Sequence, residues 1–372
     1  MIYFDNAATT YPKPGCVVDA VNGFIKHSGG NAGRGGHRLS MAAAEVVYEC
    51  RKKTAGFFGI NDPSRVCFTS GCTEALNTAI FGCIRRKDKV ITSNIEHNSV
   101  RRPLIAAGAE TLFFDAFSEK DTILSQIGDG IKKGASAVVC TCASNVFPLV
   151  LPYREIGALC REKGVLFIAD GAQAAGIYDI DVIKDNVDVL CIPAHKGLYG
   201  ITGCGALILS PSFDVSRIRP LLYGGSGINS FEASMPEDPP EKLEAGTLPS
   251  VSIAALSAGV DFVKKTGVSN IRKKEHEICS YILSMLSEND KITVYHKNAG
   301  SVLCFNVNGI PSERTGRLLD GYGICVRAGF HCAPDAHKYT GRDGAVRLGF
   351  SVFNTKEEAE RFVEIIDMIS RS

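Results

Sequence analysis

The feature that most constrains the fold is a rhythm. Seven short apolar runs, SRVCFTS (64–70), DKVITSN (88–94), ETLFFD (110–115), ASAVVCTCAS (135–144), VLFIAD (165–170), VDVLCIPA (187–194) and GALILS (205–210), recur along the chain. Between them lie helical stretches such as SMAAAEVVYECRKKTAGFFG (40–59), TEALNTAIFGCIRR (73–86) and YREIGALCREKG (153–164), the last stopped by Lys-Gly. Short apolar runs alternating with amphipathic stretches predict an α/β fold with a mainly parallel sheet and crossover helices. A Gly-, Pro- and acid-rich segment, GGSGINSFEASMPEDPPEKLEAG (224–246), precedes one more helix, PSVSIAALSAGVDFVKKTG (249–267). From about residue 265 a new unit begins, with two helices, several strands and the amphipathic helix KEEAERFVEIIDMISRS (356–372). The expected division is a large domain over 15–262 and a smaller α+β domain formed by 1–14 with 263–372. No internal repeat or low-complexity tract is visible.

Composition narrows the function classes. The 372 residues carry 41 Lys and Arg against 40 Asp and Glu, which gives no broad cationic surface for nucleic acid or anionic lipid. The opening MIYFDNAATTYPKPG lacks the basic start and apolar run of a signal peptide, and no stretch approaches the roughly 20 apolar residues of a membrane span. A cytoplasmic protein is expected. In that reducing compartment the fourteen cysteines, scattered through apolar runs, are expected to be thiols, most of them buried and inert.

Three segments suggest a cofactor. VLFIADGAQAAG runs an apolar strand to Asp170, with Gln173 one turn on; by itself Asp170 reads equally well as a helix cap. VDVLCIPAHKGLYGITGCG then places Lys196 after a buried strand, behind His195 and among glycines. A lysine there is costly unless it is paired or used covalently. FTSGCTEALN adds a strand, a Ser-Gly-Cys-Thr turn containing Cys72 and Thr73, and a helix start suited to a phosphate; it is not a Walker A loop. Pyridoxal phosphate requires such a lysine, an acid facing its ring nitrogen and donors around its phosphate.

With these segments and the stretches YFDNAATTYPKP, GRGGHRLS, IEHNSV, ASNVFPLVLPYREIG, PAHKGLYGITGCG, KLEAGT, RAGFHCAPDAH and VRLGFSVFNT, the chain resembles the class V aminotransferase-fold enzymes that include cysteine desulfurases and selenocysteine lyases. The resemblance runs almost end to end. It implies fold type I of the pyridoxal-phosphate-dependent transferases and a homodimer. It further implies that Lys196 holds the cofactor covalently and transfers protons, that Asp170 pairs with the ring nitrogen, and that Gln173 bonds the phenolic oxygen. His97 would stack on the ring and shuttle protons, Asn145 would lie near the phenolic oxygen and the substrate carboxylate, and Thr73 and His195 would hold the phosphate. Thr247 would reach the phosphate of a neighbouring subunit, Arg347 would clamp the substrate carboxylate with support from Arg327, and Cys332 would accept sulfur. Two departures stand out: Pro193 where relatives often have Ser, and Cys72 where they often have Thr or Ala.

Each residue has a plainer reading. His97 could cap a helix from a loop, Asn145 could be a turn residue, and Arg347 could form a rim salt bridge. Cys332 could be one more inert cysteine, or a metal ligand with His331 and His337, although no CxxC pair or common zinc spacing accompanies it. Its Gly- and Pro-bounded loop, AGFHCAP, with histidines and Arg327 nearby, favours a nucleophile. The expected reaction converts L-cysteine to L-alanine and leaves sulfur on Cys332 for an acceptor protein. The competing expectations are selenocysteine lyase, another class V reaction such as transamination or β-elimination, and a non-catalytic sulfur-relay scaffold.

Overall fold

A computed structural model describes residues 1–33, 35–228, 231–338 and 344–371. The stretches quoted above that include Arg34, Asn229, Ser230 and Ser372 therefore lie partly outside the described residues. The strands in chain order are β1 (Ile2–Tyr3), β2 (Val66–Thr69), β3 (Lys89–Ser93), β4 (Glu110–Phe114), β5 (Ala137–Thr141), β6 (Leu166–Asp170), β7 (Val189–Pro193), β8 (Gly205–Leu209), β9 (Ile292–Val294), β10 (Val302–Val307), β11 (Ile324–Cys325), β12 (Arg327–Gly329) and β13 (Ala345–Gly349).

β2 to β8 are the seven runs read from the sequence. They form one sheet in the order β2-β8-β7-β6-β5-β3-β4, parallel except for β8, which runs against both neighbours. The two-residue period of a strand sends Val138, Phe167, Leu190 and Ala206 into one core and Val139, Ile168, Cys191 and Leu207 into another on the opposite face. That two-sided burial is why these strands, the edge strand β4 apart, read as unbroken apolar runs rather than alternating ones.

The helices that cover the sheet include α2 (Arg38–Phe57), α3 (Cys72–Cys83), α4 (Asn98–Ala106), α5 (Lys120–Lys132), α6 (Tyr153–Lys163) and α7 (Ser250–Thr266), and α1 (Gly15–His27) packs on α7. The Lys-Gly stop of α6 is observed: Gly164 takes the left-handed conformation, φ 67°, and its amide returns to the carbonyls of Cys160 and Arg161. Among the described residues, no helix is long and apolar enough to cross a membrane.

A second sheet, β12-β13-β10-β9, is antiparallel throughout, and β1 pairs with β11. Val346 and Leu348 enter the core behind this sheet with Phe305, Phe4 and Phe362. The alternate residues Ala345 and Arg347 therefore face the first sheet, and Ala345 belongs to its core. That alternation sets the direction of Arg347.

Candidate active site

β5 and β6 end level, Thr141 opposite Asp170, and β7 runs two residues further, Cys191 lying opposite Asp170. Beyond their C-terminal ends lies a cavity of about 330 Å³, the place where open α/β sheets bind ligands. Thr73, His97, Asn145, Asp170, Gln173, His195 and Lys196 all line it, as do Pro193 and Cys72.

Asp170 is 2% exposed. Burial holds its carboxyl above the usual range, while the Ala172 amide (2.8 Å to Oδ1) and the charge of Lys196 pull the other way. The Cys72 thiol donates to the same Oδ1 at 3.6 Å. Cys72 is thus the first residue of α3, yet its side chain faces the carboxylate, and burial beside that carboxylate pushes its own pKa well up. Lys196 is pushed down by burial, with Asp170 opposing, and its ammonium has no hydrogen-bond or ion-pair partner among the described residues.

Residues 5–13 hold the lysine's backbone. The His195 carbonyl accepts from the Thr10 amide (3.1 Å), the Thr9 hydroxyl (3.1 Å) and Lys13 Nζ (3.0 Å). Glycine is required on the other side: a Cβ on Gly176, φ +85°, would sit 2.1 Å from the Gly197 carbonyl oxygen. Gln173 donates to the Ala7 carbonyl at 2.9 Å. His195 Nδ1 is buried without a partner, and burial with nearby Lys196 and Lys13 lowers its pKa to about 4.

His97 satisfies both of its sequence readings. It caps α4, accepting the Ser99 amide on Nδ1 at 3.1 Å, and it lines the cavity. Burial, followed by Lys196, Arg327, Arg347 and Arg102, lowers its pKa to about 4.

Arg347, Arg327 and Cys332 do not line this cavity. Arg347 is 2% exposed and held from two sides, Nη2 on Asp5 Oδ1 at 3.0 Å and Nη1 on the Asn145 carbonyl at 2.9 Å; its Nε is buried without a partner. Arg327 is exposed and lies opposite Arg347 in the β12–β13 register. Asn145 donates its own amide to the His331 carbonyl at 2.7 Å, so one residue links the cavity, the arginine and the cysteine loop.

Cys332 is exposed, unlike most of the free cysteines. His331 and Cys332 both have positive φ, 51° and 59°, and the Cys332 carbonyl accepts the Asn98 amide at 2.8 Å. Cys332 lines a second cavity of about 480 Å³ that shares Thr73, His97 and Ser99 with the first. His331 turns away from it, its Nε2 lying 3.0 Å from the Ala345 carbonyl. Thr247 is exposed and lines neither cavity.

Sequence reasoning missed Asp5 and Ser99. Both lie in quoted stretches, YFDNAATT and IEHNSV, but their partners are visible only in the fold.

Comparison with known proteins agrees with this arrangement. A probable cysteine desulfurase from Pyrococcus abyssi is 33% identical over 388 residues, covering 100% of this chain and 95% of the relative. One from Methanothermobacter thermautotrophicus is 32% identical over 99% of this chain and 94% of its own. The apo structure of the cysteine desulfurase from Thermococcus onnurineus NA1 superposes with a TM-score of 0.91 at 31% identity, covering 100% of this chain and 94% of that one. The model of the family described as Aminotransferase class-V matches residues 2–362, and the chain belongs to that family.

Proposed function

We propose that this protein is a pyridoxal-phosphate-dependent cysteine desulfurase. The observation that carries the reading is a partnerless Lys196 amine in a cavity shared with buried Asp170, next to a second cavity that holds the exposed Cys332.

The residues fit the cofactor. The start of α3 has no side-chain cap, which leaves backbone N–H groups and the positive end of the helix dipole for a phosphate. His195, whose buried Nδ1 has no partner, lines the same cavity. Asp170 supplies a carboxylate for a protonated ring nitrogen and Lys196 an amine for an aldehyde. When bound, pyridoxal phosphate supplies an electron sink for bonds that break at the substrate's Cα and Cβ.

The chain's own residues do the rest. Lys196, whose neutral form burial favours, moves the proton at the substrate Cα. Arg347, pre-set by Asp5 and the Asn145 carbonyl, offers a charged fork for a carboxylate, with Arg327 beside it. The Cys332 thiolate attacks the substrate sulfur. An S–S bond forms as the C–S bond breaks, the electron pair passes to the substrate Cβ, and that carbon takes a proton to give alanine. Cys332 is left as a persulfide for an acceptor protein.

Residues 15–262 are read as the cofactor-holding domain, and 1–14 with 263–372 as the domain that brings the cysteine loop. Exposed Thr247 is read as serving the phosphate of a second copy in a homodimer.

The test is product analysis with L-cysteine and L-selenocysteine. Wild type should yield alanine and sulfide, Cys332→Ala should lose sulfur release, and Lys196→Ala should abolish the visible absorbance of the loaded enzyme. Keto acid in place of alanine would mean transamination, selenide release alone a selenocysteine lyase, and no turnover a scaffold; any of these refutes the desulfurase reading.

A further inference from the structure

Ser99 is the second residue of α4 and is 8% exposed. Its amide donates to His97 Nδ1 at 3.1 Å, and its hydroxyl oxygen lies 2.9 Å from the same nitrogen. Thr73 Oγ1 is 2.8 Å from Ser99 Oγ. A ring nitrogen that accepts an N–H carries no proton of its own. The hydrogen between Ser99 Oγ and Nδ1 therefore belongs to the serine, and the one between Ser99 and Thr73 belongs to the threonine. The chain of donors runs one way, from Thr73 to Ser99 to His97. A ring whose pKa is lowered to about 4 is neutral near pH 7, so its single proton sits on Nε2. That nitrogen has no partner among the described residues, on a side chain that lines both cavities.

We propose that Ser99 is a positioning residue that locks His97 as the neutral Nε2–H tautomer, so that the imidazole presents a hydrogen-bond donor, not a base, to the cavity. The consequence for catalysis rests on the reading of the cavity as the desulfurase site. There, His97 would steady an anionic sulfur or oxygen, and proton abstraction would fall to Lys196. The tautomer itself belongs to the ligand-free protein and can be tested without turnover.

The experiment is long-range ¹H–¹⁵N correlation of the histidine-labelled, cofactor-free protein, with His97 assigned by comparison with His97→Gln. The expected wild-type pattern is a bare Nδ1 and a protonated Nε2. Ser99→Ala removes the hydroxyl and keeps the amide. Losing one neutral hydrogen bond to the unprotonated ring should raise the proton affinity of His97 about fivefold in an NMR titration. Ser99→Thr, which retains the hydroxyl, should restore the wild-type titration, an effect a purely structural role would not produce. A proton on Nδ1 in the wild type overturns the proposal, as does a folded Ser99→Ala protein whose His97 titrates unchanged. If Ser99→Ala does not fold, the wild-type tautomer decides alone. Failure of the desulfurase assay would leave these readouts untouched.

Discussion

Replacing Glu244 with alanine removes half of a buried ion pair beneath the segment that carries Thr247. The Arg51 and Glu244 side chains are each 8% exposed and meet side by side, Nη1 to Oε1 at 2.7 Å and Nη2 to Oε2 at 2.5 Å. Oε1 also accepts the Phe68 amide at 2.5 Å, and the guanidinium lies 4.6 Å over the Phe68 ring. In Glu244→Ala the guanidinium keeps the Val66 carbonyl as its acceptor, and the Phe68 amide loses the acceptor it has now. Stranding one member of a buried pair costs about 3–5 kcal/mol, and this pair is almost fully enclosed, so we expect a loss of about 4 kcal/mol. Removing both charges, as in Arg51→Met with Glu244→Leu, should recover at least half of that, because no buried charge is left unpaired. Urea unfolding followed by circular dichroism measures both, and limited proteolysis should show faster cleavage between Gly224 and Gly246 in the single variant. A single variant that loses less than about 1 kcal/mol, or a double variant no better than the single, would refute the reasoning.

Two further predictions concern the site. Glu96 is 3% exposed, with the Thr141 amide 3.1 and 3.0 Å from its two oxygens, and burial pushes its carboxyl up from 4.5 to about 8. An acid that stays protonated in the fold contributes stability that is complete below pH 4.5 and is lost as pH rises through about 8. Glu96→Gln should therefore flatten that decline, read as urea midpoints at pH 5 and pH 8 for both proteins. Pro193 lines the cavity at the end of β7, opposite Gly205. Pro193→Ser adds a hydroxyl beside the proposed phosphate position and should tighten cofactor binding roughly tenfold, measured by equilibrium dialysis.

How much was legible follows from where each feature stores its information. β2, β3 and β5 to β8 could be read because each is buried on both faces and carries that burial in its own residues, and the edge strand β4 because its run TLFF stays apolar although Phe113 is exposed. β1, β11 and β12 could not, since two or three residues hold no period and their pairing is decided by distant partners. That Asp170 and Lys196 share one cavity was legible from two neighbouring strands that lead to the same edge of the sheet. The Asp5–Arg347 contact was not, because an aspartate in a loop gives no sign of which cation the fold brings to it. Cys72 read as part of a phosphate turn, yet its thiol points at Asp170, a direction set by the first turn of α3 rather than by the turn's composition. Ser99 carried no signal of its own in the sequence, and the fold gives it a first task as the second residue of α4. Its second task, on the ring of His97, needed the position of Thr73 as well.

The short segment from Asp5 to Lys13 has a consequence for assembly. Its partners lie far downstream: Thr9, Thr10 and Lys13 hold the carbonyl of residue 195, and Asp5 meets a guanidinium 342 positions later. Contacts that span most of a chain close late and slowly. On a ribosome the hold on residue 195 can close as soon as that residue has emerged, whereas the Asp5–Arg347 contact must wait for residue 347, so a fragment ending before it would carry the supported lysine without the fixed guanidinium.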